Sequence, residues 1–508
     1  MNVTIRPGKA IGTVAAPPSK SMAHRLLICA GLSQGTSRIS GLDYNEDILA
    51  TVDCLRALGA VCRVEGDTVT VTGADICSAK PVETLCCRES GSTLRFFIPL
   101  ALLCGNEVSF TGTEKLLSRP LDIYEQLSAE KDFSFVRNGQ ELQVKGLLNG
   151  GDFQVPGNIS SQFITGLLFA LPLAAEDSCI RITTPLESRS YIDLTLQALH
   201  SFGVDAGWQD SQTLRIPGRQ CYKAKDMAVE GDYSGAAFYG AMNALGSEVT
   251  VTGLLPESLQ GDKVYEVHLK SLCAGCPEID LSDCPDLGPV LFAVAAAKNG
   301  AVFTGTRRLK IKESDRAAAM ALELAAFGTQ VTVEENSVTV TPIAFHAPDR
   351  VLQGHNDHRI VMALAVLLMR TGGEIEGAQA VRKSFPDFFE KIKQLGIEVQ
   401  THGTDKEKEY IDRRPWPHRR QLRKGPYKEG ISCQRDYQKR FHHCLCTGAR
   451  DHCGGYNGNR PQADRGGGCC GVRAVSQGAA DMAGGKSEVP EDRCCSDRCN
   501  RCLVLRGL

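Results

Sequence analysis

Lys20 and Arg25 stand about one helical turn apart, behind Pro17-Pro18-Ser19 and ahead of the apolar run Leu26-Leu27-Ile28-Cys29-Ala30. Ser19 suits an N-cap, and Lys20 to Ala23 would then leave backbone N–H groups without intrahelical partners. Those amides, the positive end of the helix dipole and the two cations could converge on a phosphate or carboxylate. Taken alone, the stretch reads equally well as a capped helix with solvated Lys and Arg. More basic residues mark similar segment starts and connections: Arg95, Arg119, Lys312, Arg316, Arg359 and Lys383. Arginine clamps planar anions in bidentate fashion and lysine supplies a point charge or a proton, so the set reads as a site for more than one anion. Groups able to move protons sit among them: Asp286 after Cys284-Pro285, Glu313 in Lys312-Glu313-Ser314-Asp315-Arg316, and His358 in Asp357-His358-Arg359. A carboxylate beside cations in a closed cleft has a tunable pKa. The plainer readings are helix capping for Asp286 and Asp357, and a satisfied core or surface histidine for His358. No Walker A loop, no GxGxxG after a strand, no HExxH and no nucleophile elbow is found, which removes nucleotide, zinc-protease and serine-hydrolase readings.

The elements that must position these groups recur. Each unit has a polar or glycine-rich turn, an apolar helix of about three turns, a short strand ending in Thr or Gly, then a second amphipathic helix and usually a hairpin. Unit starts at 20, 91, 161, 234, 286 and 357 are separated by 71, 70, 73, 52 and 71 residues. Repeats of that length, each with its own helices and strands, imply a pseudo-symmetric α/β or α+β protein rather than a solenoid. Parallel first helices would gather their N-termini on one face, where summed dipoles hold an anionic ligand.

A chain of 508 residues is expected to form two or more domains, and 42% hydrophobic with 23% charged residues fits a globular enzyme. The net charge of −2 argues against a general nucleic-acid binder. It conceals an asymmetry: residues 1–400 carry 36 Lys and Arg against 46 Asp and Glu, and 401–508 carry 21 against 13. Met1 to Arg6 shows no basic-then-apolar signal pattern, and apolar runs such as Ile360 to Met369 are too short to span a bilayer, so a cytoplasmic location without membrane partner is expected. Twelve of the 22 cysteines lie in residues 1–400 at irregular spacing, the pattern of reduced buried thiols.

The ordered motifs carry a resemblance. Pro18-Ser19-Lys20-Ser21 to Arg25, Ser90-Gly91-Ser92-Thr93-Leu94-Arg95, Ser118-Arg119-Pro120-Leu121, Ser160-Ser161-Gln162, Pro285-Asp286, Lys312 to Arg316, Asp357-His358-Arg359 and Lys383-Ser384-Phe385-Pro386-Asp387 follow one another as in the enolpyruvylshikimate-phosphate synthase family, which residues 1–400 resemble throughout. The resemblance implies the two-domain enolpyruvyl transferase fold: six repeated units of parallel helices and mixed four-stranded sheets, three per domain. It places residues 1–18 with 227–400 in one discontinuous domain and 19–226 in the other, with closure around the substrates. It implies transfer of the enolpyruvyl group of phosphoenolpyruvate to the 5-hydroxyl of shikimate 3-phosphate by a monomer that needs no metal or organic cofactor. Carried over by position, shikimate 3-phosphate would be held by Lys20, Ser21, Arg25, Ser160, Ser161, Gln162, Ser188, Asp286 and Lys312. Phosphoenolpyruvate would meet Lys20, Gly91, Arg119, Gln162, Arg316, Arg359 and Lys383, with the glycine admitting close backbone approach. Asp286, Glu313, Lys20, His358 and Lys383 would carry the chemistry. His24 matches no family role and is expected to be structural; Arg308 stands where some members have Asn.

Two other functions are weighed. The sister enzyme acting on UDP-N-acetylglucosamine shares the fold but pairs Lys with Asn in the first motif and has a loop cysteine before its Arg-Pro; here Ser21 follows Lys20 and Thr113 to Ser118 lacks cysteine. A non-catalytic anion-binding protein would not require Asp286, Glu313, His358 and Lys383 together. After Val399 the character changes: 401–508 has 13 residues among Leu, Ile, Val, Phe and Met and 10 cysteines, too few apolar groups for a core. A zinc module lacks two well-spaced ligand pairs. The tail is therefore expected to be disordered or translated from a shifted frame.

Overall fold

The computed structural model of the chain describes residues 1–78, 84–139 and 141–402; the expectations for the rest of the tail lie outside the described residues. The repeat appears as six pairs of helices. The first members are Lys20–Gly31, Gly91–Ala101, Ser161–Ala170, Tyr233–Ala244, Gly288–Ala297 and His358–Thr371, and the second are Glu46–Ala57, Asp122–Lys131, Arg189–Ser201, Tyr265–Ala274, Arg316–Ala325 and Phe388–Gln394. Five of the first helices start on a side-chain cap: Ser19, Ser90, Ser160, Asp232 or Asp357 accepts from a first-turn N–H. The unit expected to start at 286 differs. Asp286 lies in a 3-10 turn, Pro285–Leu287, and the helix begins at Gly288, where Pro289 occupies a first-turn position that needs no N–H partner.

Each unit builds a small mixed sheet. Glu278–Asp280 runs parallel to Ala301–Thr304, which is antiparallel to Ser337–Pro342, itself hairpin-paired with Thr329–Val333. Four other units repeat this order, but one does not. Glu248–Thr252 pairs only with Ile11–Ala15, in a two-stranded sheet, because the chain runs from the helix Tyr265–Ala274 to Glu278–Asp280 without a hairpin. That corrects the expectation of four strands in every unit and accounts for the short 52-residue interval.

Two strands are exchanged between units. Ile11–Ala15 precedes the helix Lys20–Gly31 yet pairs with Glu248–Thr252, whereas Met227–Ala228 precedes Tyr233–Ala244 yet pairs with Thr36–Ser40. The two crossing segments run side by side: Ser19 N–H donates to the Glu230 carbonyl at 2.8 Å and Asp232 N–H to the Pro17 carbonyl at 2.7 Å. Apolar side chains form two clusters, one from Met22 to Tyr222 and one joining Val3, Ile5, Ala10 and Val14 to Tyr233 through Val399. The first strand, Asn2–Ile5, lies between Gly373–Glu376 and Val399–His402. Pairing with the first strand runs to His402, the last of the described residues.

Helices that are apolar on nearly every side are buried on every side. Ser161–Ala170 exposes almost nothing, and each large side chain it buries contributes about 1.5–3 kcal/mol. It packs closely on Gly91–Ala101 for a local reason. Pro99 lacks the N–H that would engage the Arg95 carbonyl, so that carbonyl accepts from the Tyr124 hydroxyl at 2.6 Å instead. Gly166 sits against the same point, where a Cβ would lie 2.5 Å from the Arg95 oxygen. The approach sets Arg95 beside Gln162 at the start of the facing helix.

Candidate functional site

The first turns converge on one cleft. Its lining draws Lys20, Ser21 and Arg25 from the first helix, Ser92 and Arg95 from the second, and Ser160, Ser161 and Gln162 from the third. Arg119, Ser188, Asp286, Lys312, Glu313, Arg316, His358 and Arg359 also line it. Gly91 and Lys383 stand outside the lining. Gly91 adjoins it through Arg119, since a Cβ there would lie 2.7 Å from Arg119 Nη1. Gly91→Ala is accordingly expected to fold, because Ala favours the helix, while displacing the guanidinium and lowering kcat/KM about ten- to a hundredfold with the rise in KM confined to the small anionic substrate. Initial-rate kinetics with each substrate varied would check this.

Arg316 is the most enclosed cation, 1% exposed, with Nε 2.9 Å from Asp357, Nη1 2.8 Å from Asp286 and Nη2 2.6 Å from Glu313. Asp357 does cap its helix, by accepting from Arg359 N–H, but it also holds Arg316; capping and the ion pair are one arrangement. Asp286 caps nothing. Its carboxylate meets Arg316, Arg359 at 2.9 Å and Lys312 at 3.3 Å, and accepts from the Tyr191 hydroxyl at 3.3 Å. Burial disfavours its charge, yet Arg359, Lys312 and Arg316 hold it well below the usual carboxylate range. Burial likewise opposes the Glu313 charge, and Arg316, Arg119 and Lys20 overcome it. Lys20 loses by burial but is raised by Asp47, 2.7 Å away, and by Glu313.

Arg25 is tied to protein oxygens: Thr195 Oγ1 at 2.9 Å and the carbonyls of Ser21 at 2.6 Å and Tyr191 at 2.9 Å. Burial lowers it to about 10, still a cation near neutrality. Gln162 accepts from Arg95 Nη1 at 2.7 Å and donates to Ser92 Oγ at 2.9 Å, which fixes its amide. Ser188 enters the helix Arg189–Ser201 with φ of 58° and donates its N–H to the Ser282 carbonyl at 3.1 Å. Among the described residues, buried donors remain without protein partners: Arg119 Nε and Nη2, Arg95 Nε and Arg359 Nε. Buried N–H groups of this kind call for an acceptor.

His358 is neutral. Burial and Lys20 push it down to about 3, against the pull of Asp357 and Glu313, and both ring nitrogens are buried without a hydrogen bond. An unfolded imidazole takes its proton near pH 6.5, so between that value and about 3 the unfolded chain binds more protons and stability falls as pH falls. His24, also held low by burial, adds in the same direction. The Asp286 and Glu313 contribution is present above the unfolded carboxylate range near 4 and is lost below it. We expect His358→Gln to reduce the loss of unfolding free energy between pH 6 and 4 by about 1.4 kcal/mol per pH unit, measured by urea titration; an unchanged slope would contradict a neutral buried imidazole.

Some cleft residues were not singled out as site residues. Tyr191, one turn after Ser188, bridges Asp286 and Asp262, whose carboxyl burial and then Asp286 push up to about 7. Arg308 is buried, 2.6 Å from Glu187. His24 donates to or accepts from Thr51 at 2.7 Å, as a structural histidine would, but also lines the cleft. Asp47 had a sufficient local explanation, an acid in a helix first turn, and only tertiary contact reveals its pairing with Lys20.

The family model described as EPSP synthase (3-phosphoshikimate 1-carboxyvinyltransferase) matches residues 5–392. A Clostridium kluyveri protein named 3-phosphoshikimate 1-carboxyvinyltransferase is 41% identical over 430 residues, covering 80% of this chain and 99% of the relative. A Clostridium perfringens protein of the same name is 42% identical over 416 residues, covering 78% and 98%. The solved EPSP synthase of Acinetobacter baumannii superposes with a TM-score of 0.65 at 23% identity, covering 79% of this chain and all of that one. The enolpyruvyl transferase NikO of Streptomyces tendae gives 0.63 at 14% identity, covering 78% and 98%. At those identities the solved structures speak for the fold alone.

Proposed function

We propose that the cleft is where this chain, which belongs to the EPSP synthase (3-phosphoshikimate 1-carboxyvinyltransferase) family, transfers the enolpyruvyl group of phosphoenolpyruvate to shikimate 3-phosphate. Both substrates carry a phosphate and a carboxylate. The observation that carries the assignment is charge: eight cations line the cleft (Lys20, Arg25, Arg95, Arg119, Arg308, Lys312, Arg316 and Arg359) against the two carboxylates Asp286 and Glu313. Asp47, Glu187 and Asp357 pair with Lys20, Arg308 and Arg316 from behind the lining, and the excess of cations that remains, with buried guanidinium donors lacking partners among the described residues, is costly unless polyanions complete it.

In this reading shikimate 3-phosphate lies on Lys20, Ser21, Arg25, Ser160, Ser161, Gln162, Ser188, Asp286 and Lys312. Phosphoenolpyruvate lies on Lys20, Arg119, Gln162, Arg316, Arg359 and Lys383, close to the Gly91 backbone. The 5-hydroxyl adds to C2 of phosphoenolpyruvate while C3 takes a proton; the adduct then loses phosphate and a C3 proton. Asp286 takes the hydroxyl proton. With three cations sharing it, it is a weak base. Substrate anions draw on those same cations, so binding strengthens the base when it is needed. Glu313 and Lys20 handle the C3 proton, His358 hydrogen-bonds as a neutral ring, and the arginines stabilise charge on the departing phosphate.

We read the two clusters as domains, 1–18 with 227–400 and 19–226, that close on the ligands. We read the chain as a monomer and place the reaction in the cytoplasm. Among the described residues no helix is long and apolar enough to cross a membrane. Phosphate release with both substrates tests the reading: release should require both, and none at saturation would sink it.

A further inference from the structure

We propose that Glu89 is a positioning residue that clasps the two halves of the phosphoenolpyruvate pocket together. Glu89 belongs to the segment entering the helix Gly91–Ala101, and no step above uses it. Its Oε1 lies 2.8 Å from Lys383 Nζ and accepts from Asn356 Nδ2 at 3.2 Å. Lys383 donates also to the Asn356 carbonyl at 2.9 Å, so three residues from distant parts of the chain close a small ring. The pair is largely enclosed, with side chains 14% and 23% exposed.

What the ring holds is strained. His355 and Asn356 have φ of 48° and 53°, the left-handed region that non-glycine residues enter rarely and keep only when their surroundings dictate it. Glu323, fully buried, fixes His355 through Nε2 at 2.8 Å. Asn356 has Lys383 on its carbonyl and Glu89 on its amide. The turn delivers Asp357, His358 and Arg359 to the cleft in the next three residues. On the other side Arg88 is left-handed too, at φ of 52°, with its guanidinium on Glu46 at 2.5 Å and Asp53 at 2.7 Å. Ser90 caps the helix that begins at Gly91, beside Arg119. Glu89 is thus held by its own backbone on the Arg119 side and reaches across to the Arg359 and Lys383 side. Lys383 keeps a third N–H for a ligand.

The proposal rests on reading Lys383, Arg119 and Arg359 as phosphoenolpyruvate ligands. Its test is initial-rate kinetics on the full chain, with both substrates varied, for Glu89→Ala, Glu89→Gln and Lys383→Met, each first checked by thermal melting. Glu89→Ala should raise KM for phosphoenolpyruvate about tenfold, the loss of a charge-assisted hydrogen bond, and leave KM for shikimate 3-phosphate unchanged. Glu89→Gln, which keeps an acceptor for Asn356 and Lys383, should recover most of that loss. An unchanged or lowered KM for phosphoenolpyruvate in Glu89→Ala overturns the proposal, the lowered value meaning that Glu89 only competes for Lys383. A parallel rise for both substrates overturns it as well. If Lys383→Met alone leaves that KM unchanged, the Lys383 assignment fails, while a raised KM in Glu89→Ala still supports a clasp acting through the Asn356–Arg359 turn.

Discussion

Replacing Lys20 by Met is expected to lower kcat/KM by about three orders of magnitude, the cost of removing a preorganised cation from a water-poor site. An ammonium has three donors. Asp47 engages one at 2.7 Å, which leaves two, and the position beside Glu313 and His358 puts them where both substrates would meet. The loss should appear in kcat as well as KM, because charge on the departing phosphate develops in the transition state. Lys20→Arg should not rescue: a rigid planar fork cannot share one charge among three acceptors arranged around a point. Folding should survive, since Asp47 keeps 14% of its side chain exposed and can hydrate. A variant that melts normally and turns over within tenfold of the unaltered chain would remove Lys20 from the chemistry.

The second large effect separates binding from chemistry. Asp286→Asn should lower kcat about a thousandfold, as expected for loss of a general base, without weakening affinity for inorganic phosphate. The reason is that the Asp286 carboxylate is the counter-ion of Arg316, Arg359 and Lys312. A neutral amide releases those cations, so an anion from solution finds them less shielded. Calorimetric titration with phosphate beside single-turnover kinetics would check both halves. Weaker phosphate binding together with a modest fall in kcat would mean that Asp286 only holds the cations in place.

Helix starts were legible because a capping Ser or Asp followed by an apolar helical period is local chemistry. Lys20, Ser90, Ser160 and Asp357 fall where that signal puts them. The start at Asp286 does not follow that signal: Pro285 and Pro289 bracket it, and the 3-10 turn between them carries no such cap. The exchange of Ile11–Ala15 and Met227–Ala228 left no local trace: parallel pairing is decided by the sheet each strand completes, not by the residues beside it in sequence. The missing hairpin was visible as a short interval, but its consequence, a two-stranded sheet, was not. Tyr191, Arg308 and Asp47 act through partners 27 to 121 positions away, at Asp286, Glu187 and Lys20. Residue type and spacing alone could not pair them.

The electrostatics of the cleft also make it responsive to anions. Three carboxylates neutralise Arg316, and the same oxygens must give way, in part, when phosphate groups arrive. Binding is then an exchange of counter-ions, with Asp286 gaining basicity and His358 gaining proton affinity as anions fill the space.

The most direct measurement is a structure with shikimate 3-phosphate and an unreactive phosphoenolpyruvate analogue bound together. The account predicts Lys20 Nζ within hydrogen-bond distance, about 3 Å, of both ligands, the Asp286 carboxylate on the 5-hydroxyl, and the unpartnered nitrogens of Arg119 and Arg359 on the analogue. Ligands seated elsewhere, or a Lys20 that stays on Asp47 and touches neither, would contradict it.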